Sequence, residues 1–342
     1  MYVRKYLMLS DILIMRKLII TSYLVLMFSL SSFAQENYFD YHKKITEAES
    51  AILDSNYTKA SIIYYDLFKN YDFIFLANCV TACQTAIVTK NDTLAFHFLE
   101  RAVKQGLKLN SIKTNRSLKH LLDKVQWSIF EAKYDSLRTI YLSSINWGLR
   151  EEINKLFEQD RKWRDRHETR PWNFIWKPII KIKWNYVLKG IVEEELVPLI
   201  HSYGYPGERL IGVDEKYMNT KFRDDHFNSF MVRLILIHYF SKPRKFNDSV
   251  FISEIEKGNL HPKHYAELYD FIAAYSKNKS PSKNQFFCQW HYGEISLKKT
   301  TVEKVNKRRK NIGLGSYEDR LRELQNWIQK EEADKPYVKI YY

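Results

Sequence analysis

Cysteine is scarce in this chain: Cys79, Cys83 and Cys288 are the only three in 342 residues. An odd count of this size excludes a complete disulfide framework. Ten glycines and eight prolines leave little room for a long disordered linker. The sequence also lacks H-E-x-x-H, the Walker pattern G-x-x-x-x-G-K-[ST] and the nucleophile elbow G-x-S-x-G. No cysteine follows the N-terminal apolar run, so a lipoprotein anchor is not expected. No motif calls for a cofactor or a metal ion.

What the chain does have is apolar and aromatic content. Hydrophobic residues make up 45% of it, with 24 tyrosines, 20 phenylalanines and 8 tryptophans. That composition supports packed cores and opposes disorder. The formal charge is +14, which permits binding to acidic surfaces without choosing among nucleic acid, lipid and polymer. From Met15 the chain reads MRKLIITSYLVLMFSLSSFAQE: a basic start, an apolar core and a small-residue exit. This is the layout of a secretory signal peptide with cleavage after Ala34. Residues 1–14 read as an upstream extension. Its removal with the leader takes away four basic residues and one acid, leaving 14 − 3 = +11. The expected location is therefore the periplasm or cell envelope, which argues against a specific nucleic-acid partner. The alternative is an inner-membrane protein anchored by an uncleaved N-terminal segment.

Residues 40–106 show a helical pattern that repeats. Ala60, Tyr64 and Leu67 recur as Ala95, Leu99 and Ala102, and Ala48 and Ala51 recur as Cys83 and Ala86, each 35 residues on. Small residues at these places let two antiparallel helices approach closely. Helix pairs at a period near 34 resemble tetratricopeptide repeats, without the usual tryptophan and proline positions. Two repeats cannot close a core alone, so Leu118, Leu121, Leu122, Val125, Trp127, Ile129 and Phe130 are expected to cover the stack. Leu137, Tyr141, Ile145, Leu149, Ile153 and Leu156 then mark one or two amphipathic helices.

The reading of the whole is mostly α. It comprises a signal peptide at 1–34, a tetratricopeptide-like α–α superhelical repeat at 35–125, and a mainly helical domain at 126–342 with at most a short strand or hairpin. The strand candidate is IKIKWNYV, residues 180–187, where apolar and polar side chains alternate strictly. The stretch Trp172–Val187 is also a candidate for peripheral membrane contact. In LIHSYGYPGERLIGVDE, residues 199–215, Gly204 falls just past a helical pattern and suits a left-handed cap. Pro206 and Gly207 suit a turn.

Spaced motifs in the second region resemble an uncharacterised bacterial domain that is often exported and often preceded by helical repeats. Its pattern runs D-Q-x-x-R, Y-G-W-P, a histidine heading an apolar helix, Y-A-x-L-x-D-R, Q-x-Y-G-T-Q and R-x-x-I-G-L. Asp160 and Arg164 match the first, with Arg161 for glutamine. Tyr203, Gly204 and Pro206 match the second, with Tyr205 for tryptophan. His226 matches the histidine, and Tyr265, Ala266, Leu268 and Asp270 the next motif, with Phe271 for arginine. Gln285 and Phe287 match the fifth, where Cys288, Gln289 and Trp290 depart from it. Arg309, Ile312, Gly313 and Leu314 match the last. The resemblance covers residues 149–325 and implies no established reaction.

Two functions of different class remain. One is an exported helical-repeat protein that binds another envelope protein or an acidic polymer. The other is a divergent exported hydrolase or ligand-binding protein with a pocket of His226, Asp270 and His291. For this second function, Asp160, Arg164 and Gln285 are candidate binding residues. The alternative role for these side chains is a buried network, Asp160 with Arg164 or His226 with Asp270, holding helices in register. His238, inside LILIHYF, reads as a satisfied core histidine, and Cys79 and Cys83 as small packing residues. Elemental analysis with a thermal-shift ligand screen on the chain from Gln35 is expected to find no bound metal. A stoichiometric metal would instead favour the hydrolase.

Overall fold

A computed structural model describes residues 37–168, 176–213, 230–242, 244, 247–277, 286–289, 297, 300–330 and 337–341. Helices dominate, and no strand occurs among the described residues. The leader read at residues 15–34 lies outside them, as do His226, Gln285, His291 and the Trp172–Ile175 part of the membrane-contact candidate.

The first four helices form two hairpins built alike. Helix α1 (Tyr38–Leu53) pairs with α2 (Tyr57–Asn70), and α3 (Leu76–Val88) with α4 (Asp92–Lys104). In each hairpin the chain reverses through a non-glycine residue at positive φ, Ser55 (60°) and Lys90 (58°). Asn56 and Asn91 follow and cap the next helix, accepting from Lys59 N at 3.2 Å and Leu94 N at 3.0 Å. The main-chain bonds Asn56 N to Ala51 O and Asn91 N to Ala86 O close both turns. Ala48, Ala51, Ala60, Cys83, Ala86, Ala95 and Ala102 are buried where these helices meet. Cys79 and Cys83 are buried free thiols.

The short α5 (Leu109–Thr114) and a 3₁₀ turn (Leu118–Leu121) close one side of the stack. Helix α6 (Trp127–Ser144) packs on α4 through Phe130, Leu137 and Tyr141. Val125 and Ile129 do not join this cover; both are exposed. The inward stripe of α6 runs 130, 134, 137, 141, which turns position 129 outward, and Val125 precedes the helix.

A first hydrophobic core runs from Tyr38 to Ile145 and takes in Val213, Val338 and Tyr341. A second begins at Leu149 and gathers α7 (Trp147–Glu168), α8 (Lys177–Lys189), a π-helical segment (Gly190–Leu196), α9 (Val197–Tyr203) and α10 (Glu208–Ile211). It continues through α11 (Met231–Tyr239), α12 (Asp248–Glu256) and α13 (Pro262–Lys277). Helices α14 (Val302–Asn311) and α15 (Tyr317–Lys330) follow, the latter capped by Ser316 Oγ, which accepts from Asp319 N at 3.0 Å.

The strand expected at 180–187 is instead the body of α8. Its alternation is a coincidence of composition: the inward residues are Ile180, Trp184, Val187, Leu188, Ile191 and Val192, at intervals of three and four. Pro178 in the first turn presets the helical φ. Ile182 and Tyr186, which the alternation would bury with Ile180 and Trp184, are exposed.

The glycine-rich loop joins the two cores. Gly204 ends α9 at φ 91°. Gly207 lies so close to α12's outgoing loop that a Cβ there would meet Asn259 O at 2.2 Å. Gly190, by contrast, has open space around it. Gly207→Ala should therefore cost about 1–3 kcal/mol, since a backbone atom must shift to admit the methyl. Gly190→Ala should gain about 0.5–1 kcal/mol from helix propensity. Urea denaturation of the two variants checks both signs.

Candidate functional site

Three of the six candidate residues fall among the described ones, and they do not meet. Asp160, on α7, is fully buried. Its Oδ2 lies 2.6 Å from His238 Nδ1 of α11, and its Oδ1 accepts from Trp184 Nε1 of α8 at 2.8 Å. One carboxylate thus ties three helices. The expected partner Arg164 sits a turn further along α7 with its side chain a quarter exposed, its guanidinium 3.7 Å from Asp165. Packing of α11 on α7, which spacing along the chain does not reveal, supplies the histidine.

Asp270, on α13, holds a loop. Its Oδ1 accepts from Phe286 N and Phe287 N at 2.6 and 2.7 Å, and its Oδ2 from Gln289 N at 2.7 Å. The loop presents these N–H groups together because Cys288 adopts φ 54°, the kind of turn that makes a concave anion cradle. Arg309 closes it from α14, donating to Phe287 O at 2.9 Å and Gln289 Oε1 at 3.1 Å. Both carboxylates therefore position main chain and helices.

A denser ionisable cluster lies where α1, the start of α13 and α15 meet. The rings of His42 and His261 are 5.0 Å apart, those of His261 and His264 5.8 Å, and Phe75 abuts His261 at 4.8 Å. Beside them, buried Lys263 Nζ lies 3.3 Å from Glu49 and 3.8 Å from Glu323, and Arg320 holds Glu323 at 2.9 Å. Burial, aided by the Lys263 charge, brings His42 down to about 3. Burial likewise pushes His261 and His264 well below the usual imidazole value. Burial raises Glu49 to about 7 against the pull of Lys263. At Glu323 burial opposes ionisation, but Lys263 and Arg320 prevail and hold it below the usual range.

A concavity of about 380 Å³ opens beside the π-helical segment, with Val192, Ile200, Leu236 and Phe251 among its walls. Glu193 accepts from Tyr239 OH at 2.6 Å on its rim, and the Arg244 guanidinium stacks 3.9 Å over the Tyr239 ring. Burial and the Glu193 carboxylate raise Tyr239 to about 12, so the phenol stays a donor.

The most site-like arrangement is a groove along α3 that sequence reasoning missed. Residues 337–341 run through it without regular secondary structure. Thr81 Oγ1 donates to Lys339 O at 2.9 Å, and Lys339 N donates to Gln84 Oε1 at 2.9 Å. Ser117 Oγ donates to Tyr337 O at 2.6 Å and accepts from Tyr337 N at 3.1 Å. Gln84 Nε2 donates to Tyr341 OH at 2.8 Å, while Val338 and Tyr341 enter the first core. Groove side chains thus read the backbone of the segment, and apolar contacts read its side chains. The signal was present in LANCVTACQTAIV: Asn78, Thr81, Gln84 and Thr85 make a polar stripe on a helix with no charge, and every residue of it except Val88 is buried. A buried polar stripe demands a polar partner.

The chain matches no family model, no curated protein and no solved structure.

The buried cluster sets a pH dependence. The three histidines bind fewer protons folded than unfolded below about 6.5, so their contribution rises with pH up to that value and is lost as pH falls. Glu49 binds more protons folded between the ordinary 4.5 and about 7, and so opposes them. Three against one leaves a net loss on acidification, each net proton contributing about 1.4 kcal/mol per pH unit. The urea midpoint should fall from pH 6.5 to pH 5, and more steeply in Glu49→Gln; a flat profile contradicts the assignment.

Proposed function

We propose that this chain is an exported helical-repeat protein whose work is to hold an extended peptide segment of an envelope protein in the groove along α3. The carrying observation is the docking of residues 337–341 by paired donors and acceptors from Thr81, Gln84 and Ser117. Main-chain recognition of this kind gives affinity for any extended segment, and the buried positions, here Val338 and Tyr341, give selectivity. The resemblance to tetratricopeptide repeats supports the reading, as does the recurrence of cap and turn at Asn56 and Asn91. Export rests on the leader at Met15–Ala34. The hydrolase reading draws no support from Asp160 and Asp270, both of which hold structure together.

The chain's own segment is the test ligand. A chain lacking residues 335–342 should lose at least about 2 kcal/mol of stability, from four main-chain bonds and two buried side chains. The peptide KPYVKIYY added in trans should restore it saturably, and a scrambled peptide should not. In the Thr81→Val, Gln84→Leu background the restoration should vanish. If the peptide neither binds nor restores stability, the groove reading is wrong.

A further inference from the structure

Helix α8 has two apolar faces, and among the described residues only one is packed. Ile180, Trp184, Val187 and Leu188 face α7 and α11, with Trp184 anchored on Asp160. On the opposite side Ile179 (44% exposed), Ile182 (68%) and Tyr186 (80%) stand in solvent, and Trp176 (58%) is exposed just before the helix. At about 100° per residue, Ile179, Ile182 and Tyr186 form the centre of this outer face, with Lys183 on one edge and Lys189 on the other. Lys177 and Lys181 are exposed nearer the packed side; α8 itself carries no acidic residue, and Lys189 lies 3.7 Å from Glu193 of the segment that follows. Three large side chains exposed together on one helix face, with a fourth at its start, are more than the scattered surface apolar residues a soluble fold carries.

We propose that the outer face of α8 is a docking surface for an anionic lipid bilayer. Trp and Tyr suit the headgroup level, Ile179 and Ile182 reach below it, and lysines at the edges lie against lipid phosphates. Charge complementarity favours this occupant: Lys183 and Lys189 border the strip and α8 adds Lys177 and Lys181 with no acid of its own, which suits an acidic membrane surface. No described helix is long and apolar enough to cross a membrane, so the contact is with the surface. The face is held rigid because the inner side of α8 is packed, and docking therefore orders no new segment. This surface is separate from the groove on α3, and its failure leaves the groove reading intact.

The test uses residues 35–342, which contain the whole compact unit Asn37–Tyr342. Sedimentation is measured with phosphatidylglycerol-containing vesicles and with pure phosphatidylcholine vesicles. The expected result is binding to the anionic vesicles only, weakened by salt. Ile182→Ser with Tyr186→Ser, at positions largely exposed to solvent, should weaken it about tenfold with an unchanged thermal midpoint. Lys183→Gln with Lys189→Gln should weaken it comparably. Three results overturn the proposal. They are no binding to anionic vesicles, equal binding to neutral ones, or binding that the serine variants leave untouched. The last of these assigns the interaction to net charge alone, and a soluble polyanion would then compete fully.

Discussion

The first helical stack depends on a carboxylate from the second half of the chain. Helix α3 is buried on all sides and starts at Phe75, which offers no side-chain cap. Asn78 N and Cys79 N reach Phe75 O, but Leu76 N would be orphaned in a dry interior, at about 1–3 kcal/mol. Glu208 Oε2 accepts from Leu76 N at 3.1 Å across 132 residues of chain, and the negative charge suits the helix N-terminus. Glu208 is itself buried, so it is fixed by its loop: Arg150 donates to Ile211 O and Val213 O, Tyr141 OH accepts from Val213 N, and Glu254 accepts from Tyr205 N. The two cores are thereby coupled, because the helix at the heart of one is capped by the connector of the other.

This coupling gives the spaced motif residues a common purpose. Gly204 and Tyr205 let the loop approach Glu254, Asp270 gathers three main-chain N–H groups, Arg309 locks the same loop from α14, and Gly313 passes His42 at φ 78° where a Cβ would clash. Each fixes backbone that has no regular structure of its own.

The helices were legible because burial leaves a period of three and four: Ala60, Tyr64 and Leu67, or Leu137, Tyr141 and Ile145, are inside as their spacing requires. Gly204 was legible because few residues accept positive φ. The pairings were not. Asp160 meets His238 from 78 residues away, and nothing local to either marks the other. Alternation misled at 180–187 because α8 has apolar residues on two faces, and two helical stripes overlaid can imitate a period of two. The groove was hidden for another reason: its polar stripe lies inside an apolar helix, where it reads as weak amphipathicity unless one asks what satisfies it.

One consequence of the occupied groove concerns competition. Residues 337–341 are joined to α15 by only the six residues 331–336, so they confront the groove at an effective concentration on the order of millimolar. A free segment with the same intrinsic affinity would have to reach that concentration to occupy half the grooves. On the proposed function, a partner present at micromolar levels would have to bind about a thousandfold more tightly than the resident segment, or arrive tethered nearby. If the groove takes partner segments as proposed, the resident segment acts as a threshold, admitting strong or locally concentrated ones and turning away the many extended chains that main-chain recognition alone would accept.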